Sequence, residues 1–352
     1  MERGFRDRDF IRTPEGFLFC VVGSTHPPDR VMAYLKYVPS STGGPWRRKG
    51  LRYARTMSDY TMASLRATLA ILKSYPFYIS FFRAFGTEMS SVPLDRIEEH
   101  YRPEERLEEL ASSSELDILE EKALSLASLI SDMSGVSLGQ MGITGSILLG
   151  IHVPGVSDID LVVYGLEASA EVKKALGEAL DDRGVGVDRL RGEMARAWCT
   201  RKTRLYPLEM RDAERILAKK WNIGIYRGTR FSIHPVRTER EAERYGERIF
   251  KPMGRATVLA KVRDAREAMF LPAIYKVEGA RVLEGPSVRT IEEICSYEDI
   301  YADVAGEGEE VLARGKLEMV FDRRRSATYF RLLIGSLSGG DEFIKPLGEV
   351  RP

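Results

Sequence analysis

Residues 142–163 read GITGSILLGIHVPGVSDIDLVV, and the organisation of the chain is clearest around this stretch. Four positions in it matter most for function: Gly145, Ser146, Asp158 and Asp160. Apolar residues flank both polar pairs, which predicts one strand over 141–144 and a second over 159–164. We therefore expect a strand, a Gly-Ser turn, a short connection and a second strand that holds the acids.

The spacing of the acids has a simple physical reading. Side chains alternate along a strand with period two, so Asp158 and Asp160 are expected on the same side. Two carboxylates on one side suit Mg²⁺ or Mn²⁺, because such ions prefer hard oxygen ligands. Gly145 lets the backbone approach a phosphate closely, and the Ser146 hydroxyl can donate to a phosphate oxygen.

A purely structural reading of the same residues also exists. Asp158 could be a turn residue after Ser157, with Asp160 a solvated residue on an edge strand and the Gly-Ser pair an ordinary strand end. Against this reading, residues 161–163 are Leu-Val-Val, which predicts a buried strand. Two acids directed into the end of a buried strand need a cation nearby.

A Gly-Ser pair eleven residues ahead of a strand-borne Asp-x-Asp resembles the signature of the DNA polymerase beta nucleotidyltransferase superfamily. The resemblance covers about residues 116–236. It implies transfer of a nucleoside monophosphate from a nucleoside triphosphate to a hydroxyl, with release of pyrophosphate and dependence on Mg²⁺ or Mn²⁺. It leaves the acceptor open among an RNA end, a protein side chain and a small molecule.

Members of this superfamily commonly add a third carboxylate from a neighbouring strand, and here the sequence departs from the pattern. The strand predicted over 229–236 contains no acid. Ser232 and His234 share one face of it, and His234 could be a metal ligand, a phosphate contact or a core histidine. Asp264 is the other candidate for a third metal ligand, although it could equally be a turn residue beside Arg263.

Cationic residues near glycines are candidates for binding the nucleotide. Arg227 and Arg230 are expected to contact it, since arginine binds phosphates well. Two other cationic groups are weaker candidates: Arg201, Lys202 and Arg204, and Lys219 and Lys220 ahead of Trp221. The best candidate surface for RNA combines positive charge with aromatic rings: Trp46, Arg47, Arg48, Lys49, Arg52 and Tyr53. His26, beside two prolines, fits a turn as well as a functional role.

The order of predicted elements indicates a mixed α/β fold, of the α+β type, with a polymerase-beta-like domain at its centre. We expect a strand-containing N-terminal region over 1–112, the nucleotidyltransferase domain over 113–247, and a β-rich domain, a small barrel or sandwich, over 248–352. In the stretch from Tyr60 to about Phe85, the spacing of Leu65, Leu69, Leu72 and Tyr75, ended by Pro76, also predicts a helix with one apolar stripe.

Composition limits the classes of function. The chain has 352 residues and a formal net charge of only +1, so any nucleic-acid surface must be local. No apolar run is long enough to cross a membrane, and no signal peptide is evident. Three cysteines without metal-ligand spacing, Cys20, Cys199 and Cys295, are expected to be reduced thiols of a cytoplasmic protein.

Two alternatives to an enzyme follow from the same residues. The missing third acid favours a nucleotide- or RNA-binding protein that keeps the fold without turnover. A scaffold protein whose Asp-x-Asp is structural is the third possibility, and it would bind no nucleotide in the presence of metal. Oligomeric state and choice of nucleotide are not predicted.

Overall fold

The computed structural model describes residues 3–41, 44–48, 50–59, 61–182, 184–337 and 339–347. The chain divides into two compact units, each assembled from three separate segments. The first unit comprises Met1–Ser58, Ser90–Leu190 and Trp221–Ala242. The second comprises Asp59–Met89, Arg191–Lys220 and Glu243–Pro352.

The described residues form a mixed α/β protein with three β-sheets. The strands are β1 (Phe10–Arg12), β2 (Leu18–Val21), β3 (Arg30–Pro39), β4 (Trp46–Arg48), β5 (Leu51–Arg55), β6 (Ile79–Phe82), β7 (Thr87–Pro93), β8 (Glu99–Tyr101), β9 (Met141–Ile143), β10 (Ile159–Tyr164), β11 (Val187–Asp188), β12 (Ile223–Tyr226), β13 (Thr229–Val236), β14 (Arg248–Asp264), β15 (Ala273–Glu284), β16 (Ile291–Ser296), β17 (Glu310–Asp322), β18 (Ala327–Ile334) and β19 (Phe343–Pro346). The helices are α1 (Met62–Leu72), α2 (Pro103–Ser112), α3 (Ile118–Ser134), α4 (Gly145–Leu148), α5 (Leu166–Asp181), α6 (Gly192–Leu205) and α7 (Met210–Lys219).

The first unit contains a sheet built mainly from its N-terminal segment. Its strands follow the order β4-β5-β3-β2-β1-β8, and the end of β7 also pairs with β3. All four residues of β2 are buried, as are most of β3, because neighbouring strands flank both and apolar side chains fill both faces. This sheet supplies one wall of the first unit.

The second sheet of the first unit positions the candidate site. Its order is β11-β12-β13-β10-β9, with β10 parallel to β13 and antiparallel to β9. Helices α3 and α5 pack against β10. The strands expected over 159–164 and 229–236 are confirmed with those bounds.

Helix α3 has clear sequence signals at both ends. Asp117 accepts hydrogen bonds from the backbone N–H groups of Leu119 and Glu120, and the Glu120 side chain returns a bond to the Asp117 N–H. This reciprocal arrangement is a capping box. Gly135 ends the helix in the left-handed conformation, with φ of 71°, as glycine commonly does.

The second unit contains the β-rich region predicted for the C-terminal part of the chain. Strands follow the order β14-β15-β16-β18-β17, and β17 pairs again with β14, so the five strands close into a barrel. The pairing of β16 with β18 is parallel. Alternating apolar residues of β14, among them Val258, Ala260 and Val262, belong to the core of this barrel.

One expected helix differs from the structure. In the stretch from Tyr60 to Phe85, where the helix was expected to end at Pro76, α1 ends at Leu72 and a strand, β6, occupies 79–82; Tyr60 itself lies outside the described residues. The leucine spacing continued only to residue 72, and Pro76 begins a short 3₁₀ turn that leads into the strand. The chain passes between the two compact units more than once, and the bounds expected for three consecutive domains stay a prediction.

Two further expectations concern the membrane and the cysteines. Among the described residues, no helix is both long and apolar enough to cross a bilayer. Cys20, Cys199 and Cys295 are buried and form no disulfide. Burial raises the pKa of the Cys295 thiol to about 11, so this sulfur stays protonated at neutral pH.

Candidate active site

The Gly-Ser turn contacts one of the two predicted acids. After β9 the backbone enters α4 through Gly145, whose φ is +70°. A Cβ at this position would come within 2.5 Å of Asp160 Oδ2. Both the left-handed backbone and the adjacent carboxylate therefore require glycine here. Ser146 follows with a nearly buried side chain, and its hydroxyl has no hydrogen-bond partner among the described residues.

The two acids occupy the start of β10. Asp158 directly precedes the strand and is exposed, whereas Asp160 is its second residue and is partly buried. Asp160 pairs in register with Ser232 of the parallel strand β13. Residues side by side in a parallel pair point to the same face, so these two side chains meet.

A hydrogen-bond relay joins β13 to the Asp160 carboxylate. The Ser232 hydroxyl donates to Asp160 Oδ1 at 2.5 Å, and Ser232 Oγ lies 2.8 Å from His234 Nε2. His234 Nε2 is 3.7 Å from the same carboxylate oxygen, so its main contact with the acid runs through the serine. The relay fixes the orientation of Asp160.

This surrounding keeps Asp160 ionised. Burial alone would raise the pKa of its carboxyl, but interaction with His234, the charge of Lys36 and the bond from Ser232 together hold that pKa well below its usual range. About a third of the side chain is still exposed. The carboxylate is therefore charged and remains accessible to a cation.

Lys36 was not singled out from the sequence. It lies on β3 and is buried, with its ammonium group 5.2 Å from the ring centre of Phe10 and 6.0 Å from that of Tyr37. Lysine is almost never fully buried without an anionic partner. A lysine inside an apolar strand was the available signal, and Asp160 is one of the acids that its charge reaches.

The residue before the Gly-Ser turn forms hydrogen bonds with β10 and with the segment that precedes β1. Thr144 donates its backbone N–H to the Asp160 carbonyl at 2.9 Å and its hydroxyl to the Arg8 carbonyl at 2.6 Å. Arg8 has a left-handed backbone, with φ of 70°, which strains a non-glycine residue. The N-terminal segment therefore takes part in holding the Gly-Ser turn in place.

A charge network around the buried Asp9 lies close to this segment. Asp9 is fully buried and accepts hydrogen bonds from Arg3 at 2.7 and 2.9 Å and contacts His100 Nε2 at 2.8 Å. Arg3 also bonds Glu104, which accepts from the Tyr164 hydroxyl at the end of β10. The network satisfies these buried charges and joins the N-terminal strands to the central sheet.

The arginines expected to bind nucleotide lie on β13 and the turn that precedes it. Arg230 is exposed, and alternation places it on the same face as Ser232 and His234. Arg227 lies in the turn, with φ of 45° and its guanidinium 5.1 Å from the Tyr226 ring centre. Arg230 is thus well placed on the site's face, and a nucleotide role for either arginine stays a prediction.

Asp264, in the second unit, forms hydrogen bonds with a residue close to it in the sequence. Its carboxylate accepts hydrogen bonds from the backbone N–H of Arg266 at 2.9 Å and from the Arg266 guanidinium at 2.6 Å. These bonds lower the pKa of Asp264. The alternative reading as a turn residue accounts for these contacts, so we leave Asp264 out of the proposed metal ligands.

The other cationic clusters also have local partners. Arg201 pairs with Asp59, Lys219 pairs with Glu309, and Lys220 donates to backbone carbonyls of the second unit. Trp221 is buried. These contacts account for Arg201, Lys219 and Lys220 without a ligand.

His26 is a structural residue. Its Nδ1 accepts the Met32 backbone N–H at 3.2 Å, and its Nε2 lies 3.2 Å from the Phe5 carbonyl. Burial lowers its pKa to about 4, so the ring is neutral at physiological pH. Both nitrogens are occupied by backbone groups, which supports the turn explanation.

One further group has metal-ligand composition. Asp117, Glu120 and His152 bring their ligand atoms within 4.8 Å of one another. However, His152 Nε2 contacts Asp117 at 2.7 Å, and Glu120 pairs with Arg106 at 2.5 Å. Capping of α3 and these pairings account for the group without an ion.

The fold and site define a mixed α/β protein in which one carboxylate, that of Asp160, lies beside a Gly-Ser turn. The chain belongs to the same family as the uncharacterized protein MJ1086 of Methanocaldococcus jannaschii. The two are 30% identical over 348 residues, which cover 97% of this chain and 98% of that protein. No protein-family model matches the chain, and no solved structure matches it.

Proposed function

We propose that the protein is a metal-dependent nucleotidyltransferase of the polymerase beta type. The observation that supports this most is the contact between Gly145 and the Asp160 carboxylate. It places a backbone turn suited to phosphates directly beside an ionised acid. Asp158, two residues before Asp160 and exposed, completes a pair of hard oxygen ligands.

In this proposal, the two acids hold the metal and the Gly-Ser turn holds the phosphates. Asp158 and Asp160 would hold Mg²⁺ or Mn²⁺, which would supply positive charge to the triphosphate. Gly145 and Ser146 receive its phosphate oxygens, and the free Ser146 hydroxyl is available to donate one hydrogen bond. An acceptor hydroxyl then forms a bond to the α-phosphorus as the bond to pyrophosphate breaks, and the hydroxyl proton is released.

The position where the superfamily commonly has a third acid holds Ser232 and His234 here. Their relay orients Asp160 and keeps it charged, so they act as positioning residues. In the enzyme, this arrangement replaces one carboxylate by a hydrogen-bonded pair. The absence of an acid from β13 also favours a second candidate function, a protein that binds a nucleotide with metal but does not transfer its nucleoside monophosphate.

The test measures pyrophosphate release and incorporation of label from each of the four nucleoside triphosphates with Mg²⁺ or Mn²⁺. Wild type is compared with the double variant Asp158→Asn, Asp160→Asn. The matched control is Asp264→Asn, which removes a carboxylate whose bonds are local. We expect metal-dependent transfer in wild type and control, and none in the double variant.

Two other outcomes decide against this proposal. If wild type binds nucleotide with metal but releases no pyrophosphate, the binding function replaces the transferase. If wild type binds no nucleotide, the Asp-x-Asp pair is structural. Loss of activity in Asp264→Asn alone would return that residue to the metal site.

A further inference from the structure

The β4–β5 hairpin, at one edge of the N-terminal sheet, holds two arginines that face each other. Arg47 pairs directly with Arg52 in the strand register, and both side chains are exposed. Within the described part of the chain, neither guanidinium forms an ion pair. Like charges directly opposite each other destabilise a sheet. A bound anion would relieve this repulsion, so the pair points to an anionic ligand.

The charge of the hairpin stands out from the rest of the molecule. Residues 46–55 contain five cationic residues and no acid, although the whole chain has a net charge of only +1. One of the five, Lys49, lies outside the described residues. Positive charge is therefore concentrated locally, as a surface for a polyanion requires.

The opposite face of the hairpin packs beside the Gly-Ser turn. Trp46 pairs with Tyr53 across the two strands. Both rings contact the core cluster that includes Leu148, Leu149 and Ile151. These three residues end α4 or follow it directly, so the hairpin and the phosphate end of the candidate active site share one packed core in the first unit.

Two more arginines of the hairpin are held by aromatic groups. Arg48 donates to the Tyr101 hydroxyl at 2.8 Å, and its Nε lies 3.8 Å from where a Cβ on Gly150 would be. The Arg55 guanidinium lies 4.9 Å from the ring centre of Trp46. These contacts hold the inner face of the hairpin in place, while the Arg47–Arg52 pair faces solvent.

From these contacts we infer that the hairpin binds the phosphodiester backbone of a nucleic-acid strand whose 3′-hydroxyl is the acceptor. The inference rests on the proposed transferase function and names its acceptor class. The planar guanidinium fork matches phosphate oxygens in pairs, and two such forks side by side suit a chain of phosphates. Contacts of this kind position a strand without reading its sequence.

The test is binding of a fluorescein-labelled single-stranded RNA, measured by fluorescence anisotropy over a series of salt concentrations. The variant is Arg47→Glu, Arg52→Glu. Its matched control is Arg281→Glu, Arg289→Glu, which makes the same charge change at two exposed arginines of the second unit. We expect the hairpin variant to bind about tenfold more weakly or worse, and the control to bind like wild type.

The salt dependence gives a second readout. Loss of two phosphate contacts on a single strand should make the slope of log K against log salt shallower by about 1.4. The single variant Arg52→Glu places opposite charges across the hairpin, so its melting temperature should not fall, while RNA binding weakens. This variant separates a lost binding surface from a lost fold.

Several results would overturn the inference. The first is RNA affinity that is unchanged in the hairpin variant. The second is an equal loss of RNA affinity in the control variant. The third is higher affinity for an acidic polypeptide than for RNA and for a DNA strand of the same length. The Asp158→Asn, Asp160→Asn variant keeps the comparison separate from the proposed function. If wild type transfers to RNA and that variant binds RNA but transfers nothing, both proposals stand. If wild type binds RNA without transfer, the phosphate-binding surface stands and the acceptor assignment falls with the transferase.

Discussion

Gly145 and the Asp160 carboxylate share so little space that a single methyl group should disrupt the site. Gly145→Ala forces a Cβ to within 2.5 Å of Asp160 Oδ2 and also strains a backbone with φ of +70°. We expect loss of nucleotide binding and a decrease in the free energy of unfolding larger than the ~1–2 kcal/mol of the backbone strain alone. Isothermal titration calorimetry and denaturant unfolding measure the two effects.

The control for this substitution is Gly135→Ala. Gly135 has almost the same φ, +71°, but a Cβ there would meet no atom within 4 Å. It should show the strain of the left-handed backbone, about 1–2 kcal/mol, and retain nucleotide binding. Equal behaviour of the two variants would mean that the contact with Asp160 has no functional weight.

Acid stability should report the relay at Asp160. The folded-state pKa of this carboxyl lies below its unfolded value of about 3.9, so its stabilisation is present above that pH and is lost as pH falls through the lower folded value. Ser232→Ala removes the 2.5 Å bond and brings the folded pKa closer to the unfolded one. The variant should therefore lose less stability than wild type between about pH 4 and pH 2.

Other carboxyls also titrate in this range, so the difference between profiles is the quantity to measure by denaturant unfolding. Ser125→Ala is the control, because that hydroxyl bonds the Tyr226 hydroxyl at 2.7 Å instead of a carboxylate. Its profile should run parallel to that of wild type. A Ser232→Ala profile that is also parallel down to pH 2 would remove the relay from the account of Asp160.

At the scale of elements, a variant at the N-terminus of α3 tests whether Asp117 caps the helix or binds a metal ion. Asp117→Ala removes the acceptor of two backbone N–H groups and should lower the free energy of unfolding by about 1 kcal/mol. Because the group is explained without an ion, the melting temperature of wild type should be the same with zinc and with a chelator. A rise of several degrees with zinc, absent from Asp117→Ala, would establish a metal site.

The elements that the sequence predicted best are those with strong local signals. Strands β10 and β13 are short apolar runs bounded by turn residues. The helix expected to continue to Pro76 ends at Leu72, and the apolar residues after Pro76, such as Phe82, belong to a strand. The spacing of apolar residues does not by itself distinguish one longer helix from a shorter helix that is followed by a strand.

The candidate site was predictable only in part for a different reason. The Gly-Ser turn and the acids lie within sixteen residues of each other, so their relation is visible in the sequence. Lys36 reaches Asp160 from more than a hundred residues away, through a sheet expected to belong to another domain. Contacts of that kind depend on how strands pack, which no local pattern records.

At the scale of the whole molecule, the discontinuous first unit leads to a prediction about fragments. A fragment of residues 113–247 should not fold by itself, since it lacks the strands that bury Leu148, Leu149 and Ile151. Without those strands, several apolar side chains are no longer buried in a core, and burial of each one contributes about 1.5–3 kcal/mol to the free energy of unfolding. Circular dichroism and thermal unfolding of the fragment beside the full chain measure this, and a cooperative transition in the fragment would restore a separate domain.

The parallel pairing of β10 with β13 also has a consequence during synthesis. Asp160 and Ser232 are 72 residues apart, and the intervening chain includes α6 and α7 of the second unit. At a ribosomal rate of 5–20 residues per second, the carboxylate waits roughly 4–14 seconds for its serine to be made. The nascent chain therefore exposes an acid next to the Gly-Ser turn before the residues that orient it exist.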